Sequence, residues 1–144
     1  MIHTSNDDGK TWKGARHDKV LVEPEPQGCQ GSTLVAPRSA IAASTNSSRG
    51  SSAAAAAKPS KADASGIVFF CNPSSDRREM LTVRRSDDGG HTWSHGFLLE
   101  EGASAYSCMG LTHDGCLGVL YERGSQISFA RIPSAPDGPL GVFC

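Results

Sequence analysis

Residues 77–122 read RREMLTVRRSDDGGHTWSHGFLLEEGASAYSCMGLTHDGCLGVLYE. The stretch holds an arginine pair, a Ser-x-Asp-x-Gly-x-Thr-Trp turn (Ser86, Asp88, Gly90, Thr92, Trp93), then Tyr106 and a closing Leu-Tyr-Glu that ends at Glu122. In the turn, glycine supplies positive φ and aspartate bonds the backbone a few residues on, which is hairpin chemistry. The flanking LTVR and FLLE segments have strand composition. The threonine and tryptophan then pack at the base of the turn and lock it.

Working outward, a second copy of the turn lies near the start: Ser5, Asp7, Gly9, Thr11 and Trp12 occupy the same fixed positions. A repeat of this kind marks a repeated supersecondary unit. Pro-punctuated VEPEPQGCQGS follows at residues 22–32, where glycines on both sides of Cys29-Gln30 predict close approach of backbone to a strand or ligand. KVLV (19–22), Thr33–Ala36, GIVFFC (66–71) and ISFARI (127–132) read as further strands, with Asn72–Asp76 a turn. Residues 39–65 are nearly all Ala, Ser, Gly and Lys and cannot bury enough apolar surface to offset their ordering entropy, so they read as a disordered insertion. This gives a first part over 1–38, the insertion over 39–65, a second part over 66–133 and a tail over 134–144.

The repeated turn resembles the Asp-box motif, which sits on hairpins at the rim of β-propeller blades and faces away from the active site. QGCQGS, SAYS (104–107) and LGVLYE (117–122) resemble exo-α-sialidases, most of all the animal type. The resemblance implies an all-β fold formed by the C-terminal blades of a six-bladed β-propeller. At about 40–50 residues per blade, the chain supplies two or three blades. It implies hydrolysis, with retention, of terminal sialic acid from oligosaccharides, glycoproteins or gangliosides. Tyr106 takes the place of the nucleophile. Arg78 takes the place of the last of three arginines that grip the substrate carboxylate, with Arg77 one residue out of register. Glu122 takes the place of a glutamate that holds the first of those arginines, and Gln30 lies near the substrate. The remaining catalytic groups are expected upstream, so the chain alone is expected to be inactive. The alternative is a non-catalytic Asp-box propeller that binds glycans or proteins. Ala130-Arg131-Ile132-Pro133 superficially matches the motif of the first arginine but sits at the wrong end, and is read as coincidence.

Composition narrows the partners. The 144 residues carry a formal net charge of −1, which gives no electrostatic reason to seek nucleic acid or an anionic membrane. Gly 16 and Pro 8 favour short strands and turns over helices. No stretch has transmembrane length and none has the form of a signal peptide. The five cysteines show no zinc spacing, and their odd number argues against a full disulfide framework. They are expected to be free thiols in a reducing compartment, which points to the cytoplasm, with a lysosomal or membrane-associated location the alternative if an N-terminal segment is missing. No metal or cofactor is implied, and the five histidines fall on turns or linkers.

Overall fold

The structure, a computed structural model, describes residues 1–38 and 66–132. The expected insertion (39–65) and tail (134–144) lie outside the described residues. The elements that the described residues complete are strands: β1 (Ile2–Thr4), β2 (Lys13–Arg16), β3 (Ser32–Ala36), β4 (Ile67–Pro73), β5 (Glu79–Ser86), β6 (Phe97–Leu111), β7 (Leu117–Arg123) and β8 (Gln126–Ile132). β1 and β2 form a ribbon, and β3 to β8 follow one another in sheet order with every pair antiparallel.

β6 is 15 residues long, well beyond an ordinary strand. Its first half (Phe97–Ala103) pairs with β5 and its second half (Ser104–Leu111) pairs with β7. One strand therefore belongs to two sheets. The result is a four-stranded meander (β3, β4, β5, first half of β6), three strands of a second (second half of β6, β7, β8), and the β1–β2 ribbon beside them. The Asp boxes join β1 to β2 and β5 to β6, so each occupies the same kind of hairpin.

The core lies between the two sheets and follows the period-two alternation of strands. Ile67, Phe69, Cys71, Leu81 and Val83 face Met109, Leu117, Val119, Tyr121 and Ile132, all buried. Leu81 is fully enclosed, and Leu81→Ala is expected to cost about 2–5 kcal/mol. The other face of the four-stranded sheet buries polar groups instead: Asn72, Thr82, Arg84 and Ser86. Burial lowers the Arg84 pKa, with Asp18 opposing, and its Nη2 donates to Ser74 Oγ at 2.7 Å. The far face of the three-stranded sheet is apolar and open, with Leu120, Ile127 and Phe129 exposed.

Two local expectations fail. Lys19–Val22 is a bend, not a strand. Asp18 Oδ1 accepts from the Val20 and Leu21 amides at 2.9 and 3.2 Å, which turns the chain where a strand would have to extend. Asn72 and Pro73 continue β4 instead of ending it, because Asn72 pairs with Thr82 and Pro73 with Leu81. Cysteine status also departs from expectation: Cys29, Cys71 and Cys108 are free, while Cys116 is disulfide-bonded.

The two Asp boxes are built alike. Ser86 Oγ donates to Asp88 Oδ1 and accepts from Gly90 N, both at 2.8 Å. Asp88 Oδ1 also accepts from the His91 and Thr92 amides at 3.0 and 2.8 Å, and Oδ2 accepts from Thr92 Oγ1 at 2.6 Å. Asp7, with Ser5, Gly9 and Thr11, repeats the scheme at 2.6–2.9 Å. Gly9 and Gly90 have φ of 81° and 88°, and each tryptophan ring lies where a glycine Cβ would point. The Thr92 hydroxyl, then the Thr92 amide and the Ser86 hydroxyl, hold the Asp88 carboxyl far below the usual range, and hydrogen bonds from the Thr11 hydroxyl and amide lower the Asp7 pKa. Arg16 Nη2 donates to Gly90 O at 3.0 Å, tying the ribbon to the second box.

A folded-state pKa below the unfolded value means stabilisation that is complete above roughly pH 4 and lost as pH falls below it. The second box closes a hairpin of the main sheet, whereas the first closes only the ribbon. Asp88→Ala is therefore expected to lower the global melting temperature more than Asp7→Ala. The difference should shrink as melts followed by circular dichroism are repeated from neutral pH towards pH 3.

Candidate active site

Strand register separates two edges. Ala36, Ile67 and Ser86 lie at one edge of the four-stranded sheet with the second Asp box, while Ser32, Pro73 and Glu79 lie at the other. Arg78, Tyr106 and Glu122 gather at this second edge. Arg78 ends the β4–β5 turn, and its carbonyl accepts from Ser104 N at 2.9 Å, where β6 changes sheets.

Tyr106 owes its aim to a bulge. Ser104 pairs with Arg123 and Ser107 with Tyr121, so three steps on β6 oppose two on β7. The extra residue releases the strand from strict alternation. The Tyr106 amide then donates to Glu122 Oε2 at 3.3 Å, and the side chain stays 43% exposed. The Arg78 guanidinium carbon sits 5.1 Å from the centroid of the Tyr106 ring, a cation–π contact. Arg78 Nη2 also donates to Gly28 O at 3.3 Å. A permanent cation, a phenol and a carboxylate thus share one open surface. That surface can attract an anionic ligand and hold it against a phenolic oxygen.

Gln30 lies exposed on the loop before β3, at the same edge. Among the described residues, no hydrogen bond or ring contact ties it to the other three. Arg77 is exposed on the turn, one residue away from the ring contact. Glu122 meets a backbone amide where the resemblance led one to expect an arginine. Arg131 is paired with Asp114 and lies by register beside Gly118, near the edge remote from Tyr106.

Three features of the site were not among the candidate site residues. Gly31 admits no side chain, since a Cβ would lie 2.9 Å from Phe70 Cζ and 3.0 Å from Cys71 O, as its glycine-flanked sequence suggests. Met80 takes φ of 60° in a β5 bulge two residues past Arg78, a strained state for a non-glycine. The Gly28 carbonyl bonds Arg78, and no side-chain pattern could reveal it. Cys29 beside it is buried, and that burial raises its thiol pKa; Arg78 opposes this, while Glu23 and Glu122 add to it. All three charges therefore act on one thiol.

Residues 1–119 match the BNR repeat-like domain family. The chain belongs to this family. Its relatives are sialidases. It is 35% identical over 66 residues to a sialidase of Micromonospora viridifaciens, covering 45% of this chain and 10% of that protein. It is 40% identical over 60 residues to a sialidase of Bacteroides fragilis, covering 39% of this chain and 11% of that protein. Among solved structures, the Hadza microbial sialidase Hz136 superposes with a TM-score of 0.63 at 28% identity, covering 90% of this chain and 22% of that one. The BNR chain thus spans about a tenth of the curated sialidases' length, and its two joined meanders are part of a propeller. The likeness to animal-type enzymes rests on QGCQGS and on the pairing of SAYS with LGVLYE.

The thiols flanking the site give a direct check on its geometry. Cys108 is exposed, whereas burial pushes the Cys71 thiol up to about 11. Iodoacetamide at pH 8 is expected to label Cys108 well before Cys29 and Cys71, as read by peptide mass spectrometry. Rapid labelling of Cys71 would contradict the packing described.

Proposed function

We propose that this BNR chain carries part of an exo-α-sialidase active site. The observation that carries the reading is the Arg78 guanidinium over the Tyr106 ring, with Glu122 on the Tyr106 amide, at the edge away from the second Asp box in a sialidase-related chain. The substrate class is a terminal sialoside of an oligosaccharide, glycoprotein or ganglioside.

Arg78 pairs with the carboxylate on the anomeric carbon, because a guanidinium fork matches that geometry and stays charged. The same carboxylate repels an anionic nucleophile, which is the chemical reason for a tyrosine among glycosidases. The Tyr106 oxygen attacks the anomeric carbon as it loses its proton, and the aglycone leaves with a proton from an acid. Water then cleaves the tyrosyl–sugar bond, so the configuration is retained. Glu122 fixes the Tyr106 backbone and therefore the direction of the phenol. Gln30 lines the approach to the site. The acid, the base for Tyr106 and two further arginines would come from residues beyond these 144. The open apolar face at Leu120, Ile127 and Phe129 agrees with this, since a neighbouring blade would cover it.

The 144-residue chain is expected to release no fluorophore from a fluorogenic sialoside. In a protein that completes the propeller, Tyr106→Phe is expected to lower turnover by about 10³-fold or more. Arg78→Lys is expected to raise KM, with a smaller effect on kcat. Sialoside turnover by the isolated chain, or full activity of the Tyr106→Phe protein, would contradict the reading.

A further inference from the structure

We propose that Asn72 and Glu23 are positioning residues for Arg78, acting through the 22–30 loop. Arg78 is exposed, so no enclosing wall holds its guanidinium. What holds it is the ring of Tyr106 on one side and the Gly28 carbonyl at 3.3 Å on the other. The carbonyl is useful only if its loop is fixed, and the loop has no strand pairing of its own.

Asn72 fixes it. This residue is fully buried in β4, and its Nδ2 donates to Val22 O at 2.6 Å and to Glu23 Oε1 at 3.4 Å. Glu23 passes the constraint on, because its other oxygen accepts from Cys29 N at 3.3 Å. The carboxylate therefore spans both ends of the loop. Within this span Gly28 N donates to Pro24 O at 2.8 Å, and Gly28 adopts φ of 67°, a conformation that favours glycine. Glu25 N donates to Asp76 O at 3.1 Å, joining the loop to the turn that bears Arg78. The chain of contacts runs from a buried sheet residue to an exposed cation. A buried polar side chain on the outer face of β4 is thereby linked to that cation's aim.

The importance of Arg78 as a carboxylate grip rests on the sialidase reading, but its positioning does not. The test is accordingly made on the ligand-free chain. Side-chain protons held over an aromatic ring are shifted upfield, so the Arg78 Nε–H and the adjoining Cδ protons, which flank the guanidinium carbon over the ring, report the contact in an NMR spectrum. Tyr106→Leu identifies the ring contribution. Glu23→Ala alters an exposed residue and leaves the core intact; Asn72→Ala is its buried counterpart. The upfield shift is expected in the parent chain, and its loss is expected in Tyr106→Leu, in Glu23→Ala and in folded Asn72→Ala. Should Asn72→Ala fail to fold, Glu23→Ala decides. A shift retained at its parent value in Glu23→Ala, or absent from the parent chain, overturns the proposal. Loss of the shift in Glu23→Ala with no sialoside recognition by any of these proteins leaves the positioning standing and defeats the sialidase reading alone.

Discussion

The strand that serves two sheets is the constraint on which the rest depends. β6 hydrogen-bonds to β5 over its first half and to β7 over its second. A strand cannot change partners without leaving its register, and it does so at Ser104–Ser107, where the bulge lies. The crossing brings the inner strands together, with Ser32 Oγ and Ser107 Oγ 3.0 Å apart, and Ser107 Oγ donating to Cys71 O at 3.2 Å. The same crossing turns two apolar faces towards each other and makes the core. Tyr106 stands at the bulge because that is where a side chain can leave the alternation of a packed sheet.

The electrostatics of the site follow from its place at a sheet edge. A guanidinium in the core would lose hydration and need full compensation. Arg84 illustrates the difficulty, since burial lowers its pKa and, among the described residues, its Nε and Nη1 have no hydrogen-bond partner. Arg78 at the edge keeps contact with water on its open side, while an aromatic face and a carbonyl orient it. Such a cation can exchange water for a ligand carboxylate without crossing a large desolvation barrier. The Asp boxes serve the opposite purpose. Their carboxylates are committed to local donors and have little left to offer a ligand.

The Asp boxes were legible in full because every role in them is played within eight residues, from serine hydroxyl to threonine hydroxyl. Strands β3, β4, β5, β8 and the start of β6 were legible because alternation and β-branched content record which face is buried; β7 and the second half of β6 stood out only through the resemblance they carry. Lys19–Val22 misled because apolar content alone does not show that Asp18 captures two amides. The resemblance, read in register with Leu81, favoured Arg78 over Arg77, but the ring beneath it comes from β6, nearly thirty residues on. The Gly28 carbonyl and the left-handed Met80 leave no trace in side-chain chemistry. The disulfide at Cys116 was hidden because an odd cysteine count does not say which thiols pair.

The central claim is that Arg78, Tyr106 and Glu122 form one face of a sialic-acid site. An NMR titration of the chain with the methyl α-glycoside of N-acetylneuraminate tests it most directly, with sodium acetate as the carboxylate control. The account predicts saturable shifts at Arg78, Tyr106, Glu122 and Gln30, larger than acetate produces and lost in Arg78→Ala. Shifts confined to the Asp-box edge, or shifts that acetate reproduces in full, would contradict it.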